Sequence, residues 1–135
     1  MTVLRRSVRG RLLAAIFAGG MVGALARAGL DRALPTHVGA WPWATFAANV
    51  AGCALLGYFA TRLQERLPPS TYPRPLLGTG VCGALTTFST LQIELLRLAR
   101  DGHGGLAVAY GCASVAAGLA AFRLATVAVR RVRVR

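Results

Sequence analysis

The amino-acid sequence predicts an all-α membrane protein with four transmembrane helices. Hydrophobic residues make up 55% of the 135 residues and charged residues only 15%, whereas soluble domains carry about 25% charged residues. Short connections rich in Pro or Gly separate four stretches without Asp, Glu, Lys or Arg: Leu12–Ala26, Trp43–Thr61, Pro75–Ile93 and Gly104–Phe122. Because roughly 20 residues cross a bilayer, we expect one domain over residues 1–135, with spans at about 12–30, 43–61, 75–96 and 104–126.

The first span reaches full length only if it includes Arg27. Gly19 and Gly23 form a G-x-x-x-G motif, which lets transmembrane helices pack closely. The basic start of the chain, with Ala24-Leu25-Ala26 after an apolar run, also resembles a secretory or twin-arginine signal. The packing motif and the three further spans favour a retained helix.

The second and fourth spans each carry polar residues at helical spacing. Thr45 and Asn49 are four residues apart, as are Tyr110 and Ser114, and Gly118 continues the second row. Such groups can simply join helices, at about 0.6–2 kcal/mol per hydrogen bond. A single helix-joining hydrogen bond would not satisfy Asn49, because a buried amide needs several partners. Two polar tracks on helix faces indicate a path for a solute.

The third span combines apolar length with residues that weaken a helix. Three glycines, at positions 78, 80 and 83, are followed by a polar run: Thr86, Thr87, Ser89, Thr90 and Gln92. Glycine lowers helix propensity, and hydroxyl side chains can bond backbone groups in place of the helix. We therefore expect a broken helix. Non-helical backbone at membrane depth is tolerated only where it is buried or lines a water-filled cavity, which indicates a buried ion or a pore.

Several other classes of function are excluded by context. The residues Gly78–Gly83 fit the dinucleotide pattern G-x-G-x-x-G, but they follow a proline-rich turn at 68–73 and not a strand. The three cysteines match no zinc pattern. His37 and His103 fall in loops, so no nucleophile with a base partner is visible. We expect no enzyme.

Positive charge is distributed unequally between the two sides of the predicted bundle. The net charge of +12 comes from 16 arginines against four acids, without lysine. These arginines lie at span ends and termini without interleaved aromatic residues, which argues against nucleic acid as a partner. The opposite side holds Arg32, Arg97 and Arg100, and the side of the termini holds eleven: Arg5, Arg6, Arg9, Arg11, Arg62, Arg66, Arg74, Arg130, Arg131, Arg133 and Arg135. The positive-inside rule therefore places both termini in the cytoplasm, and we expect a multi-pass protein of the cell membrane, inner or plasma, of bacterial type.

Three runs of residues resemble one known family. Gly83-Ala84-Leu85-Thr86-Thr87-Phe88-Ser89-Thr90, followed by Glu94, is similar to the signature of the Fluc (CrcB) fluoride channels. The runs 23–27 (GALAR) and 45–49 (TFAAN) resemble that family's motifs in its first and second spans. The resemblance implies an antiparallel dimer with two pores, through which toxic fluoride leaves the cytoplasm by passive electrodiffusion.

The resemblance also implies roles for individual residues. A structural sodium ion, which is not transported, would be held by main-chain carbonyls of Gly83 and Thr86. Arg27 would lie near a pore vestibule. The pore would be lined by residues of the second, third and fourth spans: Thr45, Asn49, Phe88, Leu91, Tyr110 and Ser114. Among these, Asn49 would donate to the anion and Phe88 would present the positive edge of its ring.

Two positions depart from the family pattern. Leu91 stands where the family commonly has a second Phe, and Gly118 where it commonly has a hydroxyl. An antiparallel homodimer also requires one chain to insert both ways, yet its arginines divide eleven to three. The chain could therefore pair with itself or with a different, homologous chain, and in the second case it could be a non-conducting subunit.

A different class of transporter remains as the alternative. Small multidrug-resistance exporters also pack four short spans into an antiparallel dimer, but they need a carboxylate in the first span for proton exchange. This chain has none there. Glu94 lies late in the third span, where it could pair with Arg97 at i+3 as readily as titrate. A scaffold without a solute would leave Asn49 and the threonine run unexplained.

Overall fold

The computed structural model describes residues 2–66 and 73–131, which form helices and short connections. The α-helices are α1 (Thr2–Ala33), α2 (Trp43–Arg66), α3 (Gly83–Leu85), α4 (Phe88–Arg100) and α5 (Gly104–Arg131), and a π-helical segment (Pro75–Cys82) precedes α3. The proline-rich turn expected at 68–73 lies outside the described residues except for Pro73, and Arg133 and Arg135 also lie outside them. Four stretches are long and apolar enough to cross a membrane: Arg9–Ala33, Trp43–Leu63, Pro75–Arg100 and Gly104–Arg131.

The first and third spans pack through glycines. Along α1, Gly19 lies against the backbone of Leu76 and Gly23 against that of Val81. From the other side, a Cβ atom on Gly80 would lie 2.7 Å from the carbonyl oxygen of Ile16. The two backbones therefore approach as closely as the absence of side chains allows, which maximises van der Waals contact between helices in lipid.

The second span packs along the fourth in the same manner. Gly57 of α2 lies against the backbone of Phe122 in α5. Farther along, a Cβ atom on Gly118 would lie 3.3 Å from Sγ of Cys53. Gly118 therefore serves the contact between these two helices.

The third span is interrupted at two residues, as its composition predicts. Thr86 (φ −78°, ψ 151°) and Thr87 (φ −147°, ψ 124°) are extended and separate α3 from α4. Thr87 caps the new helix, because its Oγ1 accepts from the N–H of Thr90 at 3.2 Å. The span therefore consists of two helical pieces that can be held by different neighbours.

A cluster of aromatic and aliphatic side chains fills the end of the bundle where α2 begins. Leu91, Leu98, Ala107 and Tyr110 are buried together, and Trp41 packs against them. Elsewhere the helices expose large apolar side chains: Leu13, Phe17, Met21, Leu25, Phe88, Val108, Leu119 and Leu124. Such an outer surface suits lipid or another apolar chain.

Candidate functional site

The break in the third span is held by the side chain of Asn49. Its Nδ2 donates to the carbonyl oxygen of Thr87 at 3.0 Å, and its Oδ1 accepts from the N–H of Thr87 at 2.7 Å. Both backbone groups of this extended residue are thereby satisfied without water, as membrane depth requires. The sequence indicates Asn49 as a donor to an anion; the structure gives it this second task and leaves it one N–H bond for a solute.

Main-chain carbonyls remain available on the other side of the break. The hydroxyl and the N–H of Thr86 both donate to the carbonyl of Cys82, at 3.0 and 3.1 Å. Within residues 73–131 and 2–66, hydrogen bonds at the break thus reach the carbonyls of Cys82 and Thr87, and none reaches those of Gly83 or Thr86. The C-terminal carbonyls of a helix end are ready ligands for a cation or a donor.

A second polar group joins three helices around Glu94 of α4. Thr45 of α2 donates to Oε1 of Glu94, and Tyr110 of α5 donates to Oε2, each at 2.7 Å. Both donors are buried, with Thr45 2% and Tyr110 0% exposed. We call these three residues the Glu94 clamp. The sequence left two roles open for Glu94, titration or pairing with Arg97. The structure shows a third arrangement, in which the carboxyl group accepts hydrogen bonds from Thr45 and Tyr110.

A cavity of about 360 Å³ lies beside the break. Its lining comes from α2, the third span and α5 and contains no charged side chain among the described residues: Asn49, Gly52, Cys53, Leu56, Gly78, Cys82, Gly83, Thr86, Thr87, Phe88, Leu91, Ser114 and Val115. Ser114 is 7% exposed, and its Oγ has no hydrogen-bond partner in the described part of the chain. The cavity therefore presents neutral donors to whatever enters it.

The predicted pore residues occupy different positions around this cavity. Four of them line it, namely Asn49, Phe88, Leu91 and Ser114. Phe88 is 70% exposed, whereas Leu91 is buried. Thr45 and Tyr110 belong to the Glu94 clamp instead, and Tyr110 lies one helical turn before Ser114 in α5.

Two further predicted positions lie away from the cavity. Arg27 is half-buried on α1, one helical turn beyond Gly23, which packs against the third span near Leu85. Gly118, expected on the ion path, does not line the cavity, because it faces Cys53. A side chain at this position would meet Sγ of Cys53, which itself lines the cavity.

A smaller cavity of about 150 Å³ opens at the loop between α1 and α2. The loop residues face the end of α4 across it, and α4 contributes Glu94, Arg97 and Leu98. We call it the mouth cavity. Since Glu94 lines the mouth cavity and its partner Tyr110 neighbours Ser114, a nearly continuous series of polar groups runs from the loop to the break.

Sequence comparisons agree in one assignment. The family model described as CrcB-like protein, Camphor Resistance (CrcB), matches residues 14–126. A Mycobacterium bovis protein named fluoride-specific ion channel FluC 1 is 59% identical over 125 residues, which cover 93% of this chain and 95% of that protein. A Mycobacterium tuberculosis protein of the same name matches with the same values. A Streptomyces coelicolor protein, again named fluoride-specific ion channel FluC 1, is 40% identical over 121 residues, 90% of this chain and 79% of that protein.

These matches extend from the first span to the last and therefore include the break, the Glu94 clamp and both cavities. Sequence signals could have suggested every part of this site except the clamp, which depends on how three helices meet. The protein is thus a multi-pass membrane protein with four membrane-spanning segments, and the chain belongs to the CrcB family.

Proposed function

We propose that this protein is a fluoride-selective ion channel, which lets toxic fluoride leave the cytoplasm by passive electrodiffusion. The observation that carries the proposal is the cavity beside the break, whose lining offers the unpaired Oγ of Ser114 and the remaining N–H of Asn49 without any charged group. Relatives at 59% identity carry the name of a fluoride-specific ion channel.

Neutral donors suit conduction of a small, strongly hydrated anion. An ion must be bound well enough to enter and weakly enough to leave, and a fixed cation in the cavity would hold fluoride too tightly. Amide N–H and hydroxyl O–H groups replace water around the anion, and the edge of the Phe88 ring adds a weak positive surface. The rest of the lining combines apolar side chains and glycines with two further neutral polar residues, Thr86 and Thr87.

A structural sodium ion at the break fits the residues present. The carbonyls of Gly83 and Thr86 accept no hydrogen bond from the described residues, and hard cations prefer oxygen ligands. Two carbonyls from one chain are too few for such an ion, whereas an antiparallel partner chain would supply two more. Bound sodium would neutralise the carbonyl dipoles and fix the two breaks against each other. Removing sodium should inhibit fluoride flux, and no sodium flux should accompany fluoride.

A partner chain packed antiparallel against the break is supported by the exposure of this region. Phe88 is 70% exposed, and a Cβ atom on Gly83 would meet nothing within 4 Å inside the subunit. A Gly83→Val change therefore causes no clash within one chain, but it should weaken a dimer that closes over the break. Gly10, where a Cβ atom also meets nothing, is the matched control. An equally stable dimer in Gly83→Val and Gly10→Val, measured by cross-linking in bilayers, would place the partner elsewhere.

Fluoride efflux from liposomes that contain the purified protein tests the function. Followed with a fluoride electrode, efflux should be electrogenic, should require a potassium ionophore to release the membrane potential, and should need no proton gradient. A proton-coupled exporter of the small multidrug-resistance type would instead move protons in response to cationic drugs. Drug-dependent proton transport without fluoride movement would overturn the proposal.

The identity of the partner follows from the arginines. We propose that this chain inserts mainly in one orientation, with both termini in the cytoplasm, because its arginines divide eleven to three. Even without the four arginines after position 129 the ratio is seven to three. The antiparallel partner would then be a homologous chain with the opposite bias, which could supply the phenylalanine absent at Leu91.

Labelling of the chain from each side of the membrane decides between the two kinds of dimer. A single cysteine is added after Arg135 on a background in which Cys53, Cys82 and Cys112 are replaced, and an impermeant reagent is applied to either side. We expect labelling from the cytoplasmic side only. Equal labelling from both sides, together with fluoride efflux by the lone chain, would establish a homodimer of dual orientation.

A further inference from the structure

Two buried side-chain donors lack a hydrogen-bond partner among the described residues, and both lie beside Tyr110. They are Oγ of Ser114 and the indole Nε1 of Trp41. Ser114 follows Tyr110 by one turn of α5, and the centroids of the Trp41 and Tyr110 rings are 5.3 Å apart at an interplanar angle of 78°. A buried donor without an acceptor costs about 1–3 kcal/mol. Two such donors around one side chain point to an acceptor that passes between them.

The position of Trp41 is fixed by its neighbours. Its ring meets that of Phe46 edge-on, with centroids 5.6 Å apart, and it packs on the cluster that contains Leu98. Ala40 and Pro42, the residues on either side of Trp41, both line the mouth cavity. Trp41 therefore lies next to the mouth cavity and contacts Tyr110 of the Glu94 clamp, and the rings of Phe46 and Tyr110 pack against its indole.

The Glu94 clamp creates a need for this donor. The hydroxyl proton of Tyr110 is donated to Oε2 of Glu94, and Thr45 donates to Oε1. An anion that moves past the clamp thus finds both of these hydroxyl protons engaged and a carboxyl group beside it. Ser114, one turn from Tyr110 on α5, offers a free donor, and so does Trp41, whose ring contacts that of Tyr110. An indole N–H only donates, so it can bind an anion but no cation.

Packing alone gives no reason for an indole at this position. A phenylalanine would supply most of the ring area and the same edge-on contacts without leaving a polar atom buried. Trp43, the second tryptophan of the chain, is 58% exposed and meets Trp41 with centroids 5.8 Å apart. The two tryptophans thus share a neighbourhood but differ in burial, which makes Trp43 a matched control.

We propose that the N–H of Trp41 is an anion donor at the mouth of the path, where it hydrogen-bonds fluoride between the mouth cavity and Ser114. The inference rests on the proposed function, since it assigns a further donor to the same conduction path. It gives fluoride three neutral donors in series: Trp41, Ser114 and Asn49.

The first test compares two conservative variants by fluoride efflux from liposomes. Trp41→Phe removes the N–H and keeps an aromatic ring, and we expect fluoride flux to fall about tenfold. Trp43→Phe should stay within about twofold of the wild type. If Trp41→Phe conducts like the wild type, Trp41 is a packing residue and the inference is wrong.

The second test follows the indole N–H groups directly and does not depend on a variant that folds poorly. The chain has two tryptophans, so ¹⁵N-labelled protein in nanodiscs shows two indole resonances, and Trp43→Phe assigns them. Titration with sodium fluoride should shift the Trp41 resonance and leave that of Trp43 in place, and sodium chloride should shift neither. A Trp41 resonance that fluoride does not move overturns the inference, even where Trp41→Phe loses activity through instability.

The two tests separate this inference from the proposed function. Wild-type efflux without a fluoride-dependent shift leaves the channel function standing and removes Trp41 from the path. A fluoride-dependent shift in a lone chain that does not conduct supports the donor role and assigns the missing conduction to an absent partner chain. If the protein shows neither fluoride efflux nor a fluoride-dependent shift, both proposals are wrong.

Discussion

The third span brings together two regions that are held in opposite ways. Before the break, the π-helical segment packs on α1 through Gly19, Gly23 and Gly80, and no side-chain hydrogen bond between described residues joins the two. After it, the chain is held by hydrogen bonds from Asn49 to Thr87 and by the Glu94 clamp. One span thus packs through glycines before the break and is held by side-chain hydrogen bonds after it.

The difference shows that small and polar residues in one stretch serve separate purposes. At Gly80 the absence of a side chain lets two backbones meet. At Thr86 and Thr87 the helix ends, and the hydroxyl and amide groups around it satisfy some backbone atoms while leaving others free. The two buried side-chain atoms without a partner among the residues described, Nε1 of Trp41 and Oγ of Ser114, lie on neighbouring elements beside Tyr110 of the clamp, and this is where an ion would find partners.

The largest loss of fluoride flux should come from Asn49→Leu, which disturbs the polar region after the break. The change removes both hydrogen bonds to Thr87 and leaves a backbone N–H and a carbonyl unpaired at membrane depth, at about 1–3 kcal/mol each. It also removes a donor to the ion. We expect fluoride efflux to fall by about a hundredfold, which corresponds to roughly 2.7 kcal/mol. Unchanged efflux would mean that this face of α2 serves packing alone.

A stability effect without loss of conduction should follow from Gly80→Val. The added side chain meets the carbonyl of Ile16 and the Cα of Gly19, so we expect the free energy of unfolding to fall by about 1–3 kcal/mol. Flux per folded molecule should remain within about twofold of the wild type. Gly78→Val is the control for stability, because a Cβ atom there meets nothing within 4 Å. A lower flux at equal folded amount would show that the two regions are coupled.

An intermediate effect is expected from Tyr110→Phe. The change keeps the fully buried ring and removes the hydroxyl, so Oε2 of Glu94 loses its donor and the surroundings of Ser114 change. We expect flux to fall five- to tenfold, which corresponds to about 1–1.4 kcal/mol. Efflux from liposomes checks the rate, and thermal unfolding shows whether stability changes in parallel. If Tyr110→Phe lowers stability but leaves the flux per folded molecule normal, the clamp stabilises the fold and has no role in conduction.

Much of this arrangement could be predicted from the sequence because it depends on local properties. Uncharged runs of span length determine where helices cross, and the glycines and hydroxyl residues of 78–92 predict where one of them breaks. Spacing of four residues placed Thr45 with Asn49 and Tyr110 with Ser114 on common faces. Each of these inferences needs only one helix at a time.

The parts that could not be predicted depend on two or three helices at once. Spacing offers Glu94 a partner on its own helix at Arg97, but the order in which helices pack brings Thr45 and Tyr110 to it instead. The same dependence brings Gly118 of α5 into contact with Cys53 of α2. Nothing in the glycines indicates a π-helical segment, because its hydrogen bonding adjusts to the neighbour on which it packs.

The smallest effect should come from Thr45→Val, which removes the other donor of the clamp. Valine has almost the shape of threonine, so the packing of this buried residue is kept and only the hydrogen bond to Oε1 of Glu94 is lost. Glu94 still receives the Tyr110 hydroxyl, and no ion contact is lost directly, since Thr45 does not line the cavity. We expect flux to fall about two- to threefold, or roughly 0.4–0.6 kcal/mol. Thr126→Val is the matched control, because that hydroxyl bonds only to Phe122 within its own helix.

The pair of clamp variants then shows whether Thr45 and Tyr110 act through one carboxyl group. If they do, the effect of the double variant on flux should be smaller than the sum of the two single effects by at least 0.5 kcal/mol. The first substitution already frees the Glu94 side chain to move, so the second has less effect. Additive effects would mean that Thr45 and Tyr110 act on the path separately. If Thr45→Val lost as much flux as Asn49→Leu, Thr45 would instead be in direct contact with the ion. The ion path would then extend beyond the cavity to the clamp.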